Sequence, residues 1–254
     1  MNAALEFELL KARRAGVFRW GAVTVAAGVP ALCALFFLLA RSGGTSPSAA
    51  KAAAMIPALD APGLVAMAGQ VLTVAVLLAA GIATSWSFGR EHVDGAIASL
   101  FATATPRPAI AAAKFFVLIG WASGTVLAAV VLTVVSGLLL GLPFDREVLD
   151  AAVRAVLAGL LAALLALPLG LVASWRRSYL AGFVVLLFVV VVTQVVTAMG
   201  GGHWFPYAVP SLWAGMGGEE AARAVSALGL LSAPLVAALG VAATVRWWST
   251  FEER

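Results

Sequence analysis

Long apolar blocks recur along the chain, each near the ~20 residues that cross a bilayer as a helix. They predict six spans at about 20–40, 64–88, 109–140, 149–173, 179–199 and 225–247. The third is the longest; at ~1.5 Å per residue it would run roughly 48 Å. That exceeds the ~30 Å hydrocarbon core, so it must tilt, extend beyond the lipid, or bend at Gly120, Gly124 or Gly137. Between the second and third spans the pattern changes. On a helix, Val93, Ile97, Leu100 and Ala104 form one stripe with Phe101 beside it, while Glu91, His92, Gly95, Ser99 and Thr103 face away. A helix so patterned, bounded by Arg90 and the stop Pro106-Arg107-Pro108, is expected to lie along the membrane surface. The residues leave two readings open: a plain interfacial connector, or a docking surface for a cytoplasmic partner. The first nineteen residues predict a second surface helix with a modest apolar pattern, carrying Glu8, Lys11, Arg13 and Arg14. Its cations also fit a simple positive anchor at the first span.

Composition sharpens the class. Of 254 residues 63% are hydrophobic and 11% charged, against about 25% charged in a soluble domain, and mean hydropathy is +1.03. The expectation is an all-α integral membrane protein with a single membrane domain, residues 1–254. Its connections are too short to hold a second folded unit of about 50 residues. Cys33 is the only cysteine, so no intrachain disulfide forms.

Orientation follows from Lys and Arg at the span ends. One side receives Lys11, Arg13, Arg14, Arg19, Arg90, Arg107, Lys114, Arg176, Arg177, Arg246 and Arg254. The other receives Arg41, Lys51, Arg146, Arg154 and Arg223. Both termini are therefore expected in the cytoplasm of a cell that holds the chain in its plasma membrane. Trp20, Trp86, Trp175, Trp247 and Trp248 fall at the same span ends, where indoles favour the headgroup layer. The net charge of +4 is read as topology and contact with anionic lipid, with no nucleic-acid partner. The loop at 41–63 reads as flexible or partly helical, and that at 200–224 as folding back toward the interface.

Several chemistries are excluded by what is missing. No G-x-x-x-x-G-K-[ST], H-E-x-x-H or G-x-S-x-G pattern occurs. His92 and His203, the two histidines, are predicted on opposite sides of the membrane, so neither a metal cluster nor a Ser-His-Asp site is assigned. Among charged residues only Asp150 and Arg154 approach a span interior, which disfavours an ion-coupled carrier. The bolder polar groups in lipid are Ser123 and Thr125, beside Trp121, in the third span, and Thr193, Gln194 and Thr197 in the fifth. They are candidates for a transport path. Packing for Trp121, and an interhelical hydrogen bond for Gln194, are the alternatives. So apolar an interior suits an amphipathic or lipophilic cargo.

Trp86, Phe88, Gly89, Arg90, Glu91, Asp94 and Gly95, with Arg107 and Lys114 downstream, resemble a segment of ABC-2-type transporter permeases, the membrane subunits of drug and antibiotic-peptide exporters. Glu8, Lys11, Arg13 and Arg14 are similar to that family's N-terminal start. Ala96 and Ala104 depart from it, standing where the family has Thr and often Pro. The resemblance implies a pair of such subunits, as a homodimer or with a similar permease, bound to two ABC ATPase subunits. ATP and Mg would belong to those subunits, with no cofactor on this chain. It further implies that Arg90, Glu91, Val93, Asp94, Gly95, Ile97, Leu100 and Phe101 lie in the coupling region, and that Arg107 and Lys114 hold the return to span three. A membrane scaffold or sensor that recruits a cytoplasmic protein is the competing reading.

Overall fold

A computed structural model describes residues 2–42, 47–97 and 105–250; secondary structure among them is helical, without strands. In chain order the helices are α1 Asn2–Arg14, α2 Gly16–Ala26, α3 Gly28–Arg41, α4 Pro47–Met55, α5 Ala61–Val93 and α6 Arg107–Leu139. They continue as α7 Arg146–Leu164, α8 Leu169–Trp175, α9 Tyr179–Ala198, α10 Val209–Trp213, α11 Glu219–Ala224 and α12 Ala227–Thr250. Six segments are long and apolar enough to cross a bilayer: Gly16–Arg41, Ala61–Val93, Arg107–Leu139, Arg146–Trp175, Tyr179–Ala198 and Ala227–Thr250.

Two of these spans differ from the unbroken helices expected. The first is interrupted at Ala27, three residues before Pro30, whose ring cannot accept a regular turn beneath it. The fourth divides at Leu165–Pro168. There Ala166, Leu167, Leu169 and Gly170 each donate a backbone N–H to the carbonyl three residues back, a tighter winding that accommodates a proline without a donor. The break is covered by α12, where a Cβ on Gly240 would lie 2.6 Å from the Pro168 ring. The third span, by contrast, runs unbroken through Gly120, Gly124 and Gly137.

At the centre stands α5, packed on α6, α7, α8 and α9. Its start is fixed by Asp60, whose carboxylate accepts the Gly63 N–H at 2.8 Å, and that of α7 by Asp145 accepting from Val148 at 2.9 Å. Both α5 and α6 have 33 residues, about 50 Å of helix against a core of ~30 Å. Their ends therefore stand beyond the hydrocarbon. The connection after α9 folds back on the bundle, burying Ala208, Val209 and Leu212, with α10 packed on α5, α7 and α12.

The expected surface helix from Arg90 is the main departure. Arg90–Val93 belong to the last turn of α5, which ends at Asp94 with Gly95 in the left-handed conformation (φ +69°). Val93 and Ile97 therefore do not share a stripe on one helix: Val93 is exposed and Ile97 buried. Leu100 and Phe101 lie outside the described residues, as do Ser99, Thr103 and Ala104.

Candidate functional site: a buried ion-pair cluster beside the termini

Three helix segments converge at the end of the bundle that carries α1 and the last turn of α12. On α1, Ala4, Glu8 and Ala12 recur at four-residue spacing and turn inward, while Leu5, Phe7, Leu9 and Leu10 are exposed. The apolar residues thus face out and the carboxylate faces in, a pattern set by small side chains that let α1 lie close on its neighbours.

The Lys114 amine, on the second turn of α6, donates to Glu8 Oε1 at 2.9 Å and to Glu91 Oε1 at 2.8 Å. Lys11 also bonds both acids, reaching Glu8 Oε2 at 2.8 Å and pairing with Glu91. Two ammoniums and two carboxylates alternate, and the cluster is neutral. Lys114 has 0% side-chain exposure and Glu8 4%, whereas Lys11 keeps 24%. The Lys114 amine also lies 5.9 Å from the Phe88 ring centre and 5.8 Å from that of Trp248, so aromatic faces supply part of the environment water would give. Burial, and next the Lys114 charge, pull the Lys11 ammonium below its ordinary pKa, against the two carboxylates that raise it.

Trp86, Phe88, Gly89, Arg90 and Asp94, from the same segment as Glu91, each acquire a contact. Trp86 meets Phe18 edge-on at 6.0 Å and carries the Arg90 guanidinium 4.9 Å from its ring centre. Phe88 packs on Phe115 and Trp248. Gly89 lets the start of α9 approach, since a Cβ there would sit 2.3 Å from the Tyr179 nitrogen. Asp94 pairs with Arg90 at 2.7 Å on the surface. Arg107 is half-buried at the start of α6, and Arg13 and Arg14 are exposed.

Sequence reasoning named Glu8, Lys11, Glu91 and Lys114 but did not bring them together, and it turned Glu91 away from the bundle. It also left Lys114 among the cations at the span ends, although that side chain is wholly enclosed. Trp248, expected in the headgroup layer, is fully buried and donates its indole N–H to Ser174 Oγ at 2.9 Å. The only local signal was the Glu8–Lys11 spacing, one helical turn.

The six transport-path candidates lie in three places. Trp121 donates to the Phe18 carbonyl at 3.0 Å and meets that ring edge-on at 5.3 Å, tying α2 to α6; Thr125 bonds back to the Trp121 carbonyl at 2.8 Å. Thr193, Gln194 and Thr197 line a narrow pocket of about 50 Å³ with Thr73 and Tyr207, although Gln194 itself is largely exposed on α9. Ser123 shares a cavity of about 180 Å³ with Thr84, Leu118 and Leu164. Asp150 and Arg154 line a wider cleft, about 960 Å³, at the opposite end.

Thr84 is fully buried and its hydroxyl has no hydrogen-bond partner among the described residues. An unsatisfied hydroxyl costs about 1–3 kcal/mol. Thr84→Val, which keeps the shape, is accordingly expected to raise the unfolding midpoint in detergent, while a lowered midpoint would mean the hydroxyl is engaged.

A family model described as ABC-2 family transporter protein matches residues 4–194. No curated protein and no solved structure matches the chain.

Proposed function

The chain belongs to the ABC-2 family of transporter proteins and is a membrane-spanning permease subunit of an ABC transporter; from that premise we propose that it couples ATP hydrolysed on a separate subunit to export of an amphipathic or lipophilic compound. Permeases of this kind are not themselves the catalyst. The ATPase partner supplies the nucleotide site and its Mg, and the permease works as a pair, in a homodimer or with a similar chain, in the plasma membrane with both termini cytoplasmic.

The observation that carries the reading is the Glu8–Lys11–Glu91–Lys114 cluster. It fastens the N-terminal helix to the last turn of α5 and the second turn of α6, the two helices that flank the Asp94–Pro106 connection. A partner pressing on that connection displaces α1, α5 and α6 together, because separating them would leave charges buried and unpaired. Rigid-body motion of packed helices is how such a push reaches the transport path.

The test is direct. Full-length chain in lipid nanodiscs, with its ATPase subunit added, is expected to alter the ATPase rate, and Val93→Cys, at an exposed position, to cross-link to that subunit. Glu91→Gln should weaken the response of the ATPase to cargo while the two still bind. Unchanged binding after disrupting both the Asp94–Gly95 turn and α1 would refute the assignment.

A further inference from the structure

Beside the ion-pair cluster lies a cleft that shares Lys11 with it. The cleft, of about 390 Å³, opens between α1 and the end of α5, lined by Phe7, Leu10, Lys11, Arg14, Trp86 and Arg90. Three cations line it and no carboxylate does. Two of them are held over aromatic rings, Arg90 at 4.9 Å from the Trp86 centroid and Lys11 at 5.5 Å from that of Phe7, and each also pairs with carboxylates outside the lining, Arg90 with Asp94 and Lys11 with Glu8 and Glu91. Arg14 is exposed, and no carboxylate of the described residues pairs with it.

The rim is apolar and faces outward, with Phe7 54% and Leu10 53% exposed. Cations inside and hydrocarbon at the edge match one kind of molecule: a phosphate carrying acyl chains. The ends of the 33-residue helices α5 and α6 stand at headgroup depth, where such a molecule is abundant. Arginine suits the task because its planar fork bonds phosphate oxygens in pairs.

We propose that this cleft is a binding site for one anionic phospholipid, its headgroup phosphate between Arg14, Arg90 and Lys11 and an acyl chain along Phe7 and Leu10. Lys11 belongs to both the cleft and the ion-pair cluster. A bound phosphate therefore draws on the same ammonium that Glu8 and Glu91 hold, so lipid occupancy bears on how firmly α1 is fastened to α5. The site rests on the placement of these helices in a membrane and does not depend on ATP coupling.

The full-length chain in detergent, titrated with phosphatidylglycerol and followed by native mass spectrometry, is expected to retain one lipid tightly, with phosphatidylcholine of the same chains bound several-fold more weakly. Removing two cations at about 1 kcal/mol each, Arg14→Gln with Arg90→Gln is expected to weaken retention roughly thirtyfold. Arg14→Gln alone, at an exposed position with no ion pair among the described residues, should weaken it about fivefold. Arg13→Gln with Arg19→Gln removes equal charge from the same end outside the cleft, and should leave retention unchanged. Equal loss in that control would mean a diffuse positive surface and overturn the site. Equal binding of the two lipids would overturn the phosphate contact, and displacement of the lipid by glycerol phosphate at matched concentration would make it a free-phosphate site. Loss of ATPase coupling with lipid retention intact would strike only the function proposed above.

Discussion

Lys114→Met is expected to lower the free energy of unfolding by about 3–5 kcal/mol, the usual result of removing one partner from a buried charge pair. Methionine nearly fills the volume, so the loss is electrostatic. Glu8 and Glu91 would be left facing each other with only Lys11 between them, in a cluster that now carries a net negative charge. The companion substitution separates charge from packing. Lys114→Met with Glu91→Gln restores neutrality, leaves the Lys11–Glu8 pair intact, and should recover most of the loss. A double-mutant cycle on thermal or denaturant unfolding in detergent measures the coupling. If the single change costs under about 1 kcal/mol, the range of solvent-exposed pairs, the cluster is hydrated and does not fasten the helices.

The second large effect is expected where α5 meets α9. A Cβ on Gly89 would lie 2.3 Å from the Tyr179 nitrogen and 2.6 Å from its Cα; one on Gly182 would lie 2.2 Å from Ser85 Oγ and 2.6 Å from Ser85 Cβ. The obstacles are mostly backbone and Cβ atoms, which no rotamer moves. Small residues at such crossings let helix backbones approach in lipid, and here they bring α9 onto the central helix at two levels. Gly89→Val and Gly182→Val must push the helices apart, at the upper end of the ~1–3 kcal/mol typical of overpacking or beyond. Both are expected to lower the yield of folded protein sharply. Gly120→Ala and Gly124→Ala in α6 meet nothing within 4 Å and, by helix propensity, should stabilise by up to about 1 kcal/mol each. Equal damage from both sets would mean that the α5–α9 approach is not what those glycines serve.

Much of the fold was legible in the chain because crossing a bilayer is a local demand. Length and apolarity must be met residue by residue along each segment, so six spans could be counted from the sequence, with ends displaced by only a few residues. Where reading failed, a proline or glycine redirected the chain. Pro30 and Pro168 divide spans that are apolar throughout, and Gly95 ends α5 inside what looked like one amphipathic stripe. The candidate site was legible only as a set of names. Glu8 and Lys114 are separated by 106 positions, and Trp248 reaches Ser174 across 74; no periodicity links them.

By itself the sequence determined that the chain is helical and lies in lipid, with six segments long and apolar enough to span it. Those properties are set by each segment's own transfer into hydrocarbon and by the backbone hydrogen bonds that must close within it. Only the tertiary structure decided that Lys114 is enclosed between two carboxylates and two aromatic rings, that Glu8 faces inward from an otherwise lipid-facing helix, and that Arg14 and Arg90 share a cleft. A charge's environment depends on what folds against it: the Lys114 amine finds both of its carboxylates, Glu8 and Glu91, on other helices.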